Sequence, residues 1–194
     1  FAVPTGSAHD IIVAPDPRLR LIANRVKEPG QEERVMIDVM ISTMNASEGI
    51  GLAATQLGFD KRIIVMDVDL IGAFDDGNPT TIKHGKFEMI NPVITSRSGK
   101  TNWQEGCLSV PGFKETVIRD SVIDVAYLDR DGQPKQVKAA GLLSACIQHE
   151  IDHLDGILFI DHMSPLKKDI IVRKLKKFRK KGVMIVKKSV GTTF

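Results

Sequence analysis

QHEIDH occupies residues 148–153, inside a stretch at 141–154 that predicts a helix. His149 and His153 are four residues apart, and four residues make just over one helical turn. Both imidazoles therefore lie on one face and can reach a single metal ion. Glu150 projects beside them, where it can take up or release protons. The alternative is an ordinary helix with two hydrogen-bonded histidines and a solvated glutamate. Two histidines do not complete a metal site, so a third ligand is needed.

A cysteine upstream is the best candidate for the third ligand. Cys107 stands in EGCLS at residues 105–109, where a predicted strand ends beside a glycine. One thiolate and two imidazoles form a suitable donor set for zinc-like or ferrous ions, and a catalytic site keeps one position open for water. A lone cysteine in a strand is more often a small core residue, but the downstream helix motif favours a ligand here. The other histidines are poor candidates, being in the lead-in, in a loop and beyond the helix: His9, His84 and His162.

The composition is that of one globular domain. The chain has 194 residues, of which 42% are hydrophobic and 26% are charged, and this length supports a single sizeable core. No apolar run approaches the roughly eighteen residues that span a bilayer, and residues 1–10 lack the pattern of a signal peptide. Cys107 and Cys146 are too few for a disulfide framework, so we expect a cytoplasmic protein without membrane association.

Charge is distributed unevenly along the chain. The net charge is +3, but residues 165–194 contain eleven Lys or Arg and a single acid, Asp169, which leaves the first 164 residues at −7. Such a basic segment often binds an anionic partner, although a solvated helix face is the commoner explanation. We expect a loose lead-in at 1–10, one catalytic domain at 11–181 whose last part is a basic helix at 165–181, and a basic tail at 182–194.

The order of the predicted elements indicates an α+β fold. Helices are predicted at residues 18–26, 32–47, 141–154 and 165–181. Strands are predicted at residues 62–68, 87–94 with an interruption at Asn91-Pro92, 103–110, 116–118, 121–128 and on to about 137 after a turn at Asp131-Gly132, and 183–186. Residues 11–13 are predicted to form an edge strand or an extended segment. A surface loop is predicted at residues 69–85. The class is α+β because strands precede the helix that carries the two histidines.

Three separated segments resemble the motifs of the peptide deformylase family. They are GIGLAATQ at residues 49–56, EGCLS at 105–109 and QHEIDH at 148–153, and their order and spacing match as well. The resemblance implies antiparallel or mixed sheets around a central metal-binding helix, followed by a C-terminal helix. It also implies removal of the N-formyl group from the first methionine of newly synthesised polypeptides, with release of formate.

The resemblance also implies which residues form the metal centre. Cys107, His149 and His153 resemble the family's metal ligands, with water as the fourth. Glu150 resembles the catalytic base and acid, which assists the metal-bound water as it attacks the formyl carbonyl. One divalent ion per chain is expected. Fe²⁺ is implied as the native ion, while a thiolate with two imidazoles is also compatible with Zn²⁺, Ni²⁺ or Co²⁺.

Further residues are expected around the substrate. Gln56 and the Leu108 backbone N–H resemble the donors that stabilise negative charge on the formyl oxygen. Gly51 resembles a glycine at the substrate backbone, and Gly49 and Ile50 adjoin it. Cys146 lies three residues before His149, on the same side of the helix, so it is predicted to line an apolar pocket, with plain core packing as the alternative.

A pairing between one motif residue and one residue outside the motifs is also predicted. Asp152 is predicted to pair with Arg119 in support of the metal ligands, although an exposed helix aspartate is equally consistent with the sequence.

Three other functions are compatible with parts of the sequence. A zincin-like metallopeptidase shares the helix motif, but no downstream Glu or His stands in a zincin-like ligand setting. A cysteine hydrolase would use Cys107 as a nucleophile beside His149. A nucleic-acid-binding module would use the basic segment. We favour a monomeric enzyme that acts on formyl-Met nascent peptides, with ribosome docking through the basic C-terminal segment as an accessory feature.

Overall fold

The computed structural model describes residues 8–69 and 84–180, and these residues form an α+β fold as predicted. In chain order the elements are α1 (Gln31–Ala46), β1 (Gly51–Ala53), β2 (Ile63–Asp69), β3 (His84–Ser98), β4 (Thr101–Gly106), β5 (Lys114–Arg119), β6 (Val122–Leu128), β7 (Pro134–Ala140), α2 (Gly141–Leu154) and α3 (Pro165–Lys180). Short 3-10 turns occupy Pro17–Arg20, Ala54–Leu57 and Phe159–His162. The predicted strand at 183–186, the tail at 182–194 and most of the loop at 69–85 lie outside the described residues.

Antiparallel pairing builds both sheets of the described chain. One sheet has the strand order β1-β2-β3-β6-β7, and the other is the β4-β5 hairpin. The hairpin turn predicted at Asp131-Gly132 joins β6 to β7. It forms there because Asp129 Oδ1 accepts from the Asp131 and Gln133 N–H groups at 3.0 and 2.9 Å, and Gly132 adopts the positive φ of 77° that the turn requires.

α2 lies at the centre of the molecule, between the five-stranded sheet and the β4-β5 hairpin. Its apolar side chains, Leu143, Ile147, Ile151 and Leu154 among them, pack on Ile64, Met66, Ile123 and Val125 of the larger sheet. α1 covers the opposite face of that sheet, where Ile37 and Met40 contact Ile63 and Val65. A third cluster joins α3 to the hairpin and contains Cys107, Val110, Val117, Ile171 and Leu175. The helix that carries both histidines therefore packs on the larger sheet, while α3 covers the hairpin that leads to Cys107.

The helix predicted at 18–26 is wrong beyond its first turn. Asp16 caps that turn by accepting from Arg18 N–H at 3.0 Å, but the turn ends at Arg20. The next residues are extended because other parts of the chain use their backbone groups: Ala23 N–H donates to the Leu154 carbonyl at 2.8 Å and the Asn24 carbonyl accepts from Arg62 N–H at 2.9 Å. Tertiary hydrogen bonds thus replace the helical ones.

The interruption predicted at Asn91-Pro92 does not end the strand, because β3 continues from His84 to Ser98. The irregularity appears instead as a shift in pairing with β6 between Ile90 and Val93. Asn91 takes a positive φ of 53° there, and its side-chain amide bonds the backbone of Val26, accepting from its N–H at 2.9 Å and donating to its carbonyl at 2.8 Å. A β-bulge absorbs the proline without ending the strand.

None of the helices in the described part of the chain is both long and apolar enough to cross a membrane.

Candidate metal centre

The structure brings together the three side chains predicted as metal ligands. Cys107 follows the end of β4, and His149 and His153 project from α2 toward it. One donor atom from each residue lies within 4.8 Å of the other two, and all three side chains are buried. His153 Nε2 is 3.2 Å from Cys107 Sγ. Zinc-like ions bind sulfur at about 2.3 Å and imidazole nitrogen at about 2.0 Å, so two such ligands are roughly 3.5 Å apart in a tetrahedral site. The donor set fits a divalent ion in both chemistry and spacing.

A carboxylate orients one of the two imidazoles. His149 Nδ1 donates to Glu105 Oε2 at 2.9 Å, and a carboxylate can only accept, so this contact leaves Nε2 for a metal. Arg119 holds the same carboxylate with two hydrogen bonds, of 2.6 Å to Oε1 and 2.9 Å to Oε2. Burial raises the pKa of Glu105, but the hydrogen bonds from Arg119 and His149 outweigh it and lower that pKa to about 2. Glu105 therefore stays ionised beside the ligand.

The Arg119–Asp152 pair predicted from the sequence is present. Arg119 Nη1 donates to Asp152 Oδ2 at 2.6 Å, and the Arg119 side chain is almost fully buried. Asp152 Oδ2 is also 2.8 Å from His162 Nε2. His162 thus contacts the outer carboxylate and not the ligand cluster. One guanidinium connects the strand that leads to Cys107 with the helix that carries the histidines.

Glu150 lies against the glycine segment of the first motif. A Cβ added at Gly51 would collide with the Glu150 carboxylate and would lie 2.9 Å from Cys146 Sγ. Only glycine permits this close approach. Glu150 Oε2 is buried and has no hydrogen-bond partner within residues 8–69 and 84–180. Burial raises the pKa of Glu150 to about 7, although His149 opposes the shift. A carboxyl group in this environment is suited to exchanging protons.

Gln56 lies on the cysteine side of the site. Its Oε1 accepts from Ala53 N–H at 2.8 Å, and this contact turns Nε2 toward Ser109 Oγ at 3.0 Å and Cys107 Sγ at 3.7 Å. The amide donor is therefore fixed in orientation beside the thiol. Leu108 directly follows Cys107, and its side chain meets the glycine segment, because a Cβ at Gly49 would lie 2.8 Å from Leu108 Cδ1.

Cys146 and Ile50 form the apolar side of the same region. Cys146 is fully buried, and its Sγ is 4.0 Å from the Ile50 carbonyl. Burial and the nearby Glu150 carboxylate raise the pKa of the Cys146 thiol well above its usual range. A neutral thiol is a poor nucleophile, and Cys146 is not part of the cluster formed by Cys107, His149 and His153 in the described residues.

Sequence reasoning missed three polar residues that support the site. Glu105 and Ser109 stand in the EGCLS motif and Thr55 stands in the GIGLAATQ motif, but the sequence predicts no role for any of them. Thr55 Oγ1 donates to the His153 carbonyl at 3.1 Å. A signal did exist for Glu105, since an acid two residues before a candidate ligand in a strand that runs into the core needs a buried partner.

The chain matches known proteins over most of its length. The family described as polypeptide deformylase matches residues 8–169. A peptide deformylase of Alkalilimnicola ehrlichii is 46% identical over 173 residues, which cover 89% of this chain and 92% of the relative. One of Pelagibacter ubique is 43% identical over 180 residues, covering 92% and 99%.

Solved structures agree with these sequence relatives. The crystal structure of a peptide deformylase from Ehrlichia chaffeensis is 38% identical, with a TM-score of 0.81, and the match covers 93% of this chain and 100% of that one. The structure from the same organism in complex with actinonin is 40% identical, with a TM-score of 0.80, covering 88% and 97%.

Proposed function

The chain belongs to the polypeptide deformylase family, and from this premise we propose that Cys107, His149 and His153 hold the metal ion of the reaction. The enzyme is a metal-dependent hydrolase that removes the N-formyl group from the N-terminal formyl-methionine of newly synthesised polypeptides and releases formate. One observation carries the assignment of ligands. Three buried donors, a thiol and two imidazoles, lie within 4.8 Å of one another.

We assign the proton transfers to Glu150. A bound divalent ion supplies a Lewis acid at which water becomes nucleophilic near neutral pH. The Glu150 carboxylate takes a proton from the attacking water and then delivers it to the departing amine. Because its Oε2 has no competing partner in the described chain, the group is free to accept that proton. General acid–base catalysis of this kind contributes about 10²–10⁴-fold.

We assign stabilisation of the developing negative charge to Gln56 and Leu108. The charge forms on the former formyl oxygen when water adds to the carbonyl carbon. Gln56 Nε2 is held toward the ligand cluster by the bond between its Oε1 and Ala53 N–H, and the Leu108 backbone N–H adjoins Cys107 in the chain. Removal of one such donor typically costs about 10²–10³-fold in rate.

We assign substrate binding to the glycine segment at 49–51 and to Cys146. Because Gly51 has no side chain, the backbone of this segment lies directly against the Glu150 carboxylate, so a peptide bound along the segment would be close to that carboxylate. The partly buried side chain of Ile50 contributes apolar surface there, and the fully buried, neutral Cys146 packs in the same cluster. An unbranched side chain such as that of methionine fits a pocket of this character.

A peptide assay tests the function. We expect formyl-Met peptides to release formate and the same peptides without the formyl group to remain intact. Cleavage of internal peptide bonds without deformylation would instead support the metallopeptidase, which the comparisons do not favour. Activity that survives a metal chelator but is lost on thiol alkylation would support the cysteine hydrolase.

Paired cysteine variants test the ligand assignment. Cys107→Ser should abolish stoichiometric metal binding, whereas Cys146→Ser is a matched control that should retain it. Metal content is measured on each purified protein. Equal metal content in the two variants would contradict the role of Cys107.

We propose Fe²⁺ as the native ion. The same donor set accepts Zn²⁺, Ni²⁺ and Co²⁺, since ligand softness does not separate these ions. Elemental analysis of protein purified without oxygen tests the identity, and a preparation that contains zinc as its main metal would contradict it.

We also propose that the basic C-terminal segment docks on the ribosome. Ile171 and Leu175 of α3 are buried, so Arg173 and Lys177 on the opposite side face solvent. Arg173→Glu with Lys177→Glu should weaken ribosome binding and reduce its salt dependence. The same reversal at Lys27 and Lys86, two exposed lysines far from α3 in sequence, is the control. Binding that is insensitive to salt would argue against this proposal.

The chain is further proposed to act as a monomeric, cytoplasmic enzyme with one catalytic domain at 11–181. Sedimentation analysis tests the monomer, and a stable dimer at micromolar concentration would contradict it.

A further inference from the structure

A polar stripe runs along α2 beside the face that carries the histidines. Ser144, Gln148 and Asp152 follow one another at intervals of four residues, so they share one side of the helix. Ser144 and Gln148 are buried, and Asp152 is partly buried. Neither Ser144 nor Gln148 belongs to the ligand set or to the proton-transfer machinery. Polar groups buried in this way need partners, and the identity of those partners is informative.

All three members of the stripe contact the same dipeptide, Arg119-Asp120, at the end of β5. Gln148 Oε1 accepts from Asp120 N–H at 3.0 Å, and Gln148 Nε2 donates to the Asp120 carbonyl at 3.0 Å. Ser144 Oγ donates to the same carbonyl at 2.9 Å. Asp152 accepts from the Arg119 side chain at 2.6 Å. Gln148 thus binds both the N–H and the carbonyl of Asp120, which requires a side chain with a donor and an acceptor.

The dipeptide is itself firmly anchored. Arg97 Nη1 and Lys100 Nζ each donate to the Asp120 carboxylate at 2.6 Å. Arg119 binds Glu105 on β4, two residues before Cys107. Because β4 pairs with β5, the strand that leads to the cysteine ligand and the strand that ends at the dipeptide form one unit. Contacts between α2 and Arg119-Asp120 therefore set the position of the helix relative to Cys107.

Apolar packing constrains that position less sharply than hydrogen bonds do. The contacts of Leu143 and Ile147 with the larger sheet are favourable but have no required direction. Hydrogen bonds do depend on direction and distance. A metal site tolerates errors of only about 0.2 Å in its ligand distances, whereas a slip of one residue would rotate the helix by about 100° and move it by about 1.5 Å.

We propose that Gln148 is a positioning residue, which fixes the rotation and register of α2 so that His149 and His153 meet Cys107. This inference rests on the proposed metal site and adds to it the means by which ligands from two elements are aligned. Ser144 supports the same contact, because its Oγ also accepts from Gln148 Nε2 at 3.0 Å. If the role of Gln148 were only to satisfy the backbone of Asp120, its loss would lower stability without changing how the metal is bound.

Gln148→Met tests the proposal, because it keeps the length of the side chain and removes both the donor and the acceptor. Ser144→Ala is a milder variant that folds even if the first does not. Gln136→Met, at an exposed position on β7, is the matched control. Three measurements are made on each protein: the affinity for Zn²⁺ in competition with a chelator, the visible spectrum of the Co²⁺ form, and the melting temperature of the metal-free protein.

We expect Gln148→Met to bind Zn²⁺ about 10–100-fold more weakly, the range found when groups that orient ligands are removed, and to change the Co²⁺ spectrum. Ser144→Ala should show a smaller change in the same direction, and Gln136→Met should match the wild type. A lower melting temperature with unchanged affinity and spectrum would overturn the inference alone, as would an equal loss in Gln136→Met. If Gln148→Met does not fold, unchanged metal binding in Ser144→Ala overturns it. A wild-type protein that binds no metal would overturn the proposed site as well.

Discussion

The two helices α2 and α3 are similar in length but differ in what surrounds them. α2 is buried on nearly all sides, and three of its polar residues have specific partners: Glu105 contacts His149, Arg119 contacts Asp152, and the Asp120 backbone contacts Gln148. α3 buries Ile171 and Leu175 and leaves most of its charges in solvent. The loss of a charge partner should therefore lower the stability of the protein more on α2 than on α3. Loss of a partner on α2 leaves a charge where water is excluded, whereas on α3 water replaces any partner that is lost.

The largest effect is expected from the carboxylate that α2 places in the site. Glu150→Gln keeps the shape of the side chain but removes the proton acceptor, so kcat for formyl-Met peptides should fall by about 10²–10⁴-fold. Metal content, measured in parallel, should stay near one ion per chain. A variant with full metal content and near-normal kcat would show that another group moves the protons.

The next largest effect compares a buried ion pair with an exposed one. Arg119→Met leaves the Glu105 carboxylate buried without its cation, which should lower the free energy of unfolding by about 3–5 kcal/mol. Arg173→Met removes the exposed pair with Asp169 on α3, whose atoms are 2.6 Å apart, and should cost about 0–0.5 kcal/mol. Urea unfolding measures both. Similar losses in the two variants would contradict the contrast between the helices.

Unlike its charged residues, the buried apolar residues of α3 should contribute to stability as core residues do. Leu175 is only 2% exposed and packs in the cluster that contains Cys107. Leu175→Ala should lower the free energy of unfolding by about 2–5 kcal/mol. Leu166→Ala, at a position that is 73% exposed, should change it by less than about 0.5 kcal/mol. Thermal or urea unfolding that ranks the two variants equally would mean that α3 is not packed as described.

The smallest effect concerns the carboxylate beneath the polar stripe of α2. Burial raises the pKa of Asp120, but hydrogen bonds from Lys100 and Arg97 outweigh it and lower that pKa below its usual range. The stabilisation is therefore complete above the unfolded-state pKa of about 3.9 and is lost as the pH falls through the lower folded-state pKa. Asp120→Asn should cost about 1 kcal/mol at neutral pH.

Urea unfolding at neutral pH and below pH 4 checks that dependence. The difference between wild type and Asp120→Asn should shrink as the pH falls. A difference that is the same at both pH values would contradict the ionic origin of the stabilisation.

Much of the fold could be predicted because local patterns carry it. The predicted boundaries of α1, α2 and α3 agree with the structure to within one residue, since apolar spacing, acids in a first turn and flanking glycines are short-range signals. Predictions failed where distant groups competed for the backbone. The helix expected at 18–26 gave way to hydrogen bonds with the Leu154 carbonyl and the Arg62 N–H, and the interruption expected at Asn91-Pro92 became a bulge supported by Asn91.

Much of the site could also be predicted, but only the parts that lie in contiguous motifs. Gln56, Cys107 and Glu150 could be proposed because each belongs to a recognisable segment. Glu105 also stands in such a segment, but its role could not be predicted because it depends on Arg119 in another strand. Gln148 has no signal of its own, since its partner is a main-chain group that every residue possesses.

The sequence by itself determined that two imidazoles share a face of one helix, because four residues make about one turn. It also supplied the segments that contain the thiol, the amide and the glycines. Only the tertiary structure decided that Cys107 lies 3.2 Å from His153, that Arg119 connects Glu105 to Asp152, and that Gln148 meets Asp120. These contacts join residues far apart in the chain, and their distances depend on how helix and hairpin pack, which no local periodicity encodes.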